Sequence, residues 1–193
     1  KRFETNDVER VWPLEVKVDD EHWRYAMCYV TCGMLAASTV VFDEREVREQ
    51  LRTGRRGLLF SWLASVGWYF RNRKKHSPLP TMKLNGVEVL DGTTDYIAMN
   101  SDRMARLMKG ERWYLEKVSF ASATFNIRGL GGVLKLMIRS LWKTPVVETR
   151  GDVLELDNPD DIEIQVEGEY QKLEGVTKVE VKKAEVPLRV VRK

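Results

Sequence analysis

Asp160-Asp161-Ile162-Glu163-Ile164-Gln165-Val166-Glu167-Gly168-Glu169-Tyr170 is the stretch whose reading decides the fold. Ile162, Ile164 and Val166 alternate with Glu163 and Gln165. Side chains two apart on a strand share a face, so this is a half-buried strand running into a Glu-Gly-Glu turn. Similar runs surround it: Val146 to Thr149, Val153 to Leu156, Val176 to Val181 and Val186 to Val191, separated by Gly, Asp, Asn and Pro. Short strands at about ten-residue spacing predict an antiparallel β-sandwich or barrel.

The pattern extends towards the amino terminus. Trp12 to Val18 alternates, Asp19-Asp20-Glu21 reads as a turn, and Trp23 to Cys32 reads as a second strand. Thr81 to Leu90 alternates around Asn85-Gly86, a hairpin signal. Asp91-Gly92 is a further turn signal, and Asp95 to Met99 and Trp113 to Phe120 are expected strands. Two helical insertions interrupt this β pattern. Asp43 can cap a helix from Glu44, and a second helix is expected from Gly57 to Asn72, giving an insert at about 44–75. Leu130, Val133, Leu134, Met137, Ile138 and Leu141 repeat at the spacing of one helical face, predicting a helix over 130–142 that Pro145 ends. The expectation is one mainly β domain spanning residues 1–193.

Composition narrows the class. The chain has 193 residues, 43% hydrophobic and 32% charged. That excludes a disordered tail, a collagen-like repeat and a coiled coil. The net charge of +3 gives no global reason to bind nucleic acid. Cys28 and Cys32, four apart in an expected strand, would lie about 13 Å apart, too far for a disulfide. That fits a reducing, cytoplasmic setting. His22 and His76 stand alone, so no zinc cluster is expected. Lys1 to Asp7 is polar and is followed by no apolar run, so no signal sequence is read there. The longest apolar stretch, Leu58 to Phe70, falls short of the roughly 20 residues that cross a bilayer.

Three constellations carry chemistry. Trp62, Trp68, Tyr69 and Phe70 stand beside Arg71, Arg73, Lys74 and Lys75. Aromatic residues beside cations suit a helix lying on an anionic membrane surface; the same residues also fit a buried helix with a solvated, charged end. Gly129-Leu130-Gly131-Gly132 opens the amphipathic helix, as an anion site or as a flexible entry. Glu167 and Glu169 flank Gly168. If they share a face, they can act as a general base or as support for a metal; they are equally an ordinary solvated turn. P-loop, GxGxxG and nucleophile-elbow motifs are missing from the sequence.

The run Asp160 to Tyr170, followed by Val176 to Val181 and by Val186-Pro187-Leu188-Arg189-Val190-Val191, resembles the end of the diacylglycerol kinase family, which includes bacterial soluble lipid kinases and sphingosine kinases. Its C-terminal β-sandwich ends with a strand, an Asp-Gly-Glu turn, a strand, and a hydrophobic strand near the chain end. Trp23 to Ser38 is similar to the family's strand and small-residue turn, Asp43 to Lys75 to its helical insert, and Tyr96-Ile97-Ala98-Met99-Asn100 to its strand ending in Asn.

The resemblance implies the substrate half of an ATP- and Mg²⁺-dependent lipid kinase, acting on a lipid hydroxyl such as that of diacylglycerol. Glu169 takes the place of the family's base. Glu167 stands where the family has Asp in a water and Mg²⁺ network. The family's nucleotide domain, with its Gly-Gly-Asp-Gly-Thr loop, has no counterpart in residues 1–193, so the isolated chain is expected to be inactive. A lipid acceptor must be lifted from a bilayer, which gives Trp62, Trp68, Phe70, Arg71, Arg73, Lys74 and Lys75 a peripheral membrane role. The alternatives are a non-catalytic module binding membrane or protein, or a relative of NAD kinase. Dimerisation through an exposed strand is left open.

Overall fold

The computed structural model describes residues 8–40, 63–64, 66–68, 70–72, 79, 81–89, 93–101, 103–104, 108–109, 112–125, 131–132, 138 and 149–191. In chain order it contains β1 (Val8–Val11), β2 (Leu14–Val18), β3 (Glu21–Ala26), β4 (Tyr29–Gly33), a short helix α1 (Met34–Ser38), β5 (Met82–Leu84), β6 (Val87–Glu88), β7 (Asp95–Met99), β8 (Arg103–Met104), β9 (Met108–Lys109), a 3₁₀ turn (Trp113–Leu115), β10 (Phe120–Phe125), β11 (Thr149–Gly151), β12 (Val153–Val166), β13 (Glu169–Lys183) and β14 (Leu188–Val191). The architecture is mainly antiparallel β, as expected. One ten-stranded sheet runs β11-β10-β7-β4-β12-β13-β2-β3, with the β5–β6 hairpin joined at β12. Strands β1 and β14 form a separate ribbon.

Turn chemistry sets the registers. Asp19 and Asp20 both take positive φ, 52° and 65°, between β2 and β3. Asn85 and Gly86 do the same between β5 and β6, at 54° and 75°. Two consecutive left-handed residues make the hairpin turn whose twist matches the strands it joins. Asp19 is also held from outside: Oδ1 accepts from the N–H groups of Thr177 and Lys178 and from the Thr177 hydroxyl. These donors, the hydroxyl first, hold its carboxyl below the usual range.

The long β12–β13 hairpin organises the molecule. Sequence reading divides residues 153–166 into two strands, because Asp157-Asn158-Pro159-Asp160 looks like a loop. The strand instead continues through it, with register shifts at Asp157/Asp160 and Asp160/Ile162 and Asp160 at φ 57°. A bulge tolerates proline where a regular ladder does not. On one side β12 splits its pairing. Leu154–Leu156 take β5, and Ile164–Val166 take β4. The sheet therefore curls. Arg24 on the outer strand β3 reaches Glu169 and Gln171 on the far half of β13. The main interior is filled by Leu14, Val16, Val30, Tyr96, Phe120, Leu154, Ile164 and Val181, all with no exposed surface, and a second, smaller buried cluster gathers Ile97, Met99, Ala121 and Ala123. Each such side chain contributes roughly 1.5–3 kcal/mol by leaving water.

Three strand boundaries differ from expectation. Trp23 to Cys32 is two strands, β3 and β4, broken at Met27-Cys28. The reason is tertiary. Asn100 Nδ2 donates to Met27 O at 3.1 Å, and the Asn100 and Ser101 N–H groups donate to Cys28 O at 2.7 and 3.2 Å. Trp113 to Phe120 is not a strand throughout: its first residues form the 3₁₀ turn, which hands Tyr114 O to the Trp12 N–H. Glu167 and Gly168 lie between the strands rather than in one, so alternation does not put Glu167 and Glu169 on a shared face. Cys28 and Cys32 form no disulfide; burial, reinforced by Asp95, pushes the Cys32 thiol up to about 12. The expected helix at 44–54, the runs 146–148 and Asp91-Gly92, and most of 130–142 lie outside the described residues, though 131, 132 and 138 are helical.

Candidate active site

The candidate site is the tip of the β12–β13 hairpin. Val166 pairs with Glu169, which leaves a two-residue turn of Glu167 (φ 55°) and Gly168 (φ 93°). A Glu in the left-handed region costs roughly 1–2 kcal/mol, and its tertiary contacts offset this. Glu167 Oε1 accepts from the Cys28 N–H at 2.5 Å, and the Glu167 N–H donates to Tyr29 O at 3.3 Å. The turn is thereby pinned to the start of β4. Tyr29 lies beside it. Burial first, then the charges of Glu167 and Cys28, push its phenol above the ordinary value.

Glu169 looks the other way. Its side chain is 74% exposed, and Oε2 accepts from Arg24 Nη1 at 2.5 Å. Arg24 stacks over the Trp23 ring, 4.9 Å from its centroid, and reaches Gln171 Oε1 at 3.4 Å. Both carboxylates are exposed, but the turn gives them different partners: Glu167 is held by a backbone N–H, and Glu169 has a cation at its side. Exposure leaves Glu169 accessible to a reactant from outside this chain. Among the described residues no three His, Cys, Asp or Glu side chains converge to hold a metal ion.

The second group of sequence candidates lies elsewhere. Residues 63–64, 66–68 and 70–72 are helical. Trp68 is half-buried, whereas Arg71 is exposed and folds back, its Nε donating to Gly67 O at 3.2 Å. Leu63 (62% exposed) and Phe70 (37%) are seven residues apart, two turns along one helical face. A helix buried all round is therefore not what these residues form. Trp62, Arg73, Lys74 and Lys75 lie outside the described residues.

Arg24, Asp95 and Lys183 escape a reading of motifs, whereas Asn100 stands in the sequence as the Asn that ends a strand. Arg24 gives no signal, being one charge on an edge strand. Asp95 is fully buried, and burial pushes its carboxyl up to about 7 against the hydrogen bonds from Thr94 and Leu35; the Glu163 charge adds to the rise. Asn100 is fully buried at the end of β7, and Lys183 is 6% exposed at the end of β13. Lys183 does carry a signal: it is in phase with the buried Val179 and Val181, so alternation alone turns it inward.

No family model matches this sequence, and no curated protein matches it. Solved structures do match its fold. A diacylglycerol kinase from Bacillus anthracis str. Sterne aligns over 96% of this chain and 54% of its own, with TM-score 0.52 at 6% identity. Two further chains from that organism, provisionally named diacylglycerol kinases, each align over 92% of this chain, with TM-scores 0.51 and 0.53 at 9% and 10% identity. The chain spans about half the length of these structures. Its architecture is thus an antiparallel β domain. More particularly, it has the fold of the corresponding half of these diacylglycerol kinase structures.

Proposed function

We propose that this chain is the acceptor half of a lipid kinase, the half that presents a lipid hydroxyl to the γ-phosphate of ATP. The observation that carries the reading is the Glu167–Gly168–Glu169 turn, rigidly seated on a fold shared with diacylglycerol kinases, with Glu169 facing outward. Phosphoryl transfer needs positioning, charge neutralisation and a group that accepts the hydroxyl proton. Glu169 is proposed as that base: its carboxylate exchanges Arg24 for the incoming hydroxyl and takes the proton as the oxygen attacks the γ-phosphorus and the bond to the bridging oxygen breaks, releasing ADP. Glu167 is proposed to act beside it, through water. The described residues do not fit a Mg²⁺ cage, so ATP and Mg²⁺ are assigned to the part of the longer enzymes that this chain does not match.

The exposed Leu63 and Phe70 face, next to Arg71 and the sequence run Arg73-Lys74-Lys75, is proposed to rest on the membrane that supplies the lipid. Its apolar residues enter the headgroup boundary and its cations pair with anionic lipid. This part of the proposal is peripheral: among the described residues no helix is long and apolar enough to cross a membrane.

The test joins this chain to a nucleotide-binding half of a diacylglycerol kinase and follows phosphate transfer to diacylglycerol in mixed micelles. Glu169→Gln is expected to abolish turnover with nucleotide binding intact. Turnover within a few-fold of the parent would remove Glu169 as the base. Transfer to NAD instead of diacylglycerol would replace the lipid reading altogether.

A further inference from the structure

The turn that carries Glu167 is held through one peptide group, and that group has its own keeper. The Met27–Cys28 peptide supplies the N–H that binds Glu167 Oε1. Its other end, Met27 O, accepts from Asn100 Nδ2 at 3.1 Å. No peptide bond among the described residues is cis, and in a trans peptide C=O and N–H point in opposite directions. Fixing Met27 O on Asn100 therefore aims the Cys28 N–H away from Asn100, towards the turn. The next carbonyl, Cys28 O, is also taken, by the backbone N–H groups of Asn100 and Ser101.

Asn100 is itself oriented. Its Oδ1 accepts from Lys183 Nζ, and its Nδ2 also donates to Trp12 O at 2.8 Å. Lys183 Nζ completes its set on Trp113 O at 2.8 Å and Trp12 O at 3.2 Å. Three acceptors match the three N–H bonds of an ammonium. A flipped amide would place Nδ2 against that ammonium and Oδ1 against two carbonyl oxygens, so only one orientation survives. An amide buried with no exposed surface and bonded at both ends is costly to disturb.

We propose that Asn100, locked in one amide orientation by Lys183, is a positioning residue for Glu167, setting the peptide plane whose N–H holds that carboxylate at the hairpin tip. The inference rests on the proposed function only in treating Glu167 as part of the site. Neither Asn100 nor Lys183 touches the turn; both act through the Met27–Cys28 peptide.

The experiment uses the 193-residue chain without nucleotide or lipid, so its outcome is independent of whether the protein is a lipid kinase. Proton–nitrogen NMR spectra follow the Cys28 amide, whose short bond to a carboxylate places its proton well downfield. In Asn100→Ala that proton is expected to move upfield and to exchange at least about tenfold faster, the loss of one held hydrogen bond. Lys183→Met takes the donor from Asn100 Oδ1 while the Met27 and Trp12 carbonyls still hold Nδ2, so it is expected to loosen the amide and broaden the same signal, by less than the loss of Asn100 itself. Asn100→Asp keeps the volume, pairs with Lys183 and loses both donors, so it is expected to reproduce the Cys28 shift even where Asn100→Ala folds poorly. Leu84→Ala, partly buried against the core on β5, serves as the control for general loosening. An unmoved Cys28 proton in Asn100→Asp, or an equal shift in the Leu84→Ala control, would overturn the proposal.

Discussion

Cys28 and Glu167 lie 139 positions apart, and the Cys28 N–H donates to Glu167 Oε1 at 2.5 Å. That contact joins the break between β3 and β4 to the tip of the β12–β13 hairpin. It also divides the labour of the turn, because Glu169, two residues on and itself exposed, spends its charge on the half-buried Arg24.

The first prediction follows from that division. Glu167→Ala removes an acceptor from a backbone N–H and leaves the left-handed backbone strain in place, so it should destabilise the fold by about 1–2 kcal/mol. Glu169→Ala breaks only a solvent-exposed ion pair and should cost less than about 1 kcal/mol. Urea unfolding of the two variants measures the difference. Equal losses would show that the turn is not pinned through Glu167.

A second prediction concerns Gly33, where β4 meets α1. Its φ of 93° suits glycine, and a Cβ there would sit 2.1 Å from Thr94 O, a backbone atom. Both the strain and the clash fall on structure that cannot retreat, because Gly33 pairs with Asp95 in the ladder. Gly33→Ala should therefore cost more than about 3 kcal/mol. Gly86→Ala, also at positive φ but with open space around its Cβ, should cost only the conformational strain of about 1–2 kcal/mol. Thermal melts of the pair give the comparison.

How much of this was legible in the sequence follows from what each signal measures. Alternation locates β2 and the 176–181 part of β13, because those strands have one face on the main core; β7, buried at every position, is legible as an apolar run instead. Alternation divides β12 at Asn158-Pro159, since a proline bulge inside a strand looks locally like a loop. It runs β3 into β4, since the break at Met27-Cys28 is made by Asn100, over seventy residues away. The acidic turn was visible as residue types. Its geometry was not: φ at Glu167 and the partners Cys28 and Arg24 are set by the closure of the sheet.

Asp95 gives a third prediction, in pH. Its carboxyl is raised from 3.8 to about 7, chiefly by burial. The folded state then holds a proton between pH 4 and 7 that the unfolded state has lost. Stability from this group is fully present below pH 4 and falls as pH rises to 7, by on the order of a few kcal/mol. Asp95→Asn removes the ionisation, and Asn can still accept from the Leu35 N–H while donating to the Thr94 hydroxyl. The variant should gain on the parent steadily from pH 4 to pH 7 and hold a constant advantage above it. Urea midpoints across that range test this; parallel curves for the two proteins would refute it.

Membrane contact supplies a fourth. Phe70→Ser removes one of the two exposed apolar side chains among the described residues of this helical segment, and Arg71→Glu reverses a neighbouring charge. Sedimentation with vesicles containing phosphatidylserine should show binding weakened a few-fold by Phe70→Ser at any salt concentration. Arg71→Glu should weaken it at low salt only, since exposed charges are screened over roughly 10 Å at 0.1 M salt. Binding by the parent chain that is indifferent to both changes would remove this face from the proposal.

Lys183 gives the last prediction, and its sign is opposite to that of Asp95. Burial lowers its ammonium from 10.5 to about 7, with Glu116 pulling the other way. Between pH 7 and 10.5 the unfolded chain therefore binds a proton that the folded chain has released. Stability from this group rises with pH across that window and is lowest at pH 7 and below, where the charged amine is buried in both its costs and its bonds. Lys183→Met deletes the titration together with the bonds to Asn100 Oδ1, Trp12 O and Trp113 O. Relative to the parent it should fare best near pH 7 and worst near pH 10, where the neutral amine no longer carries a desolvation cost. A difference in urea midpoint that stays constant from pH 7 to pH 10 would mean that Lys183 keeps its ordinary affinity for the proton, its three carbonyl partners outweighing its burial.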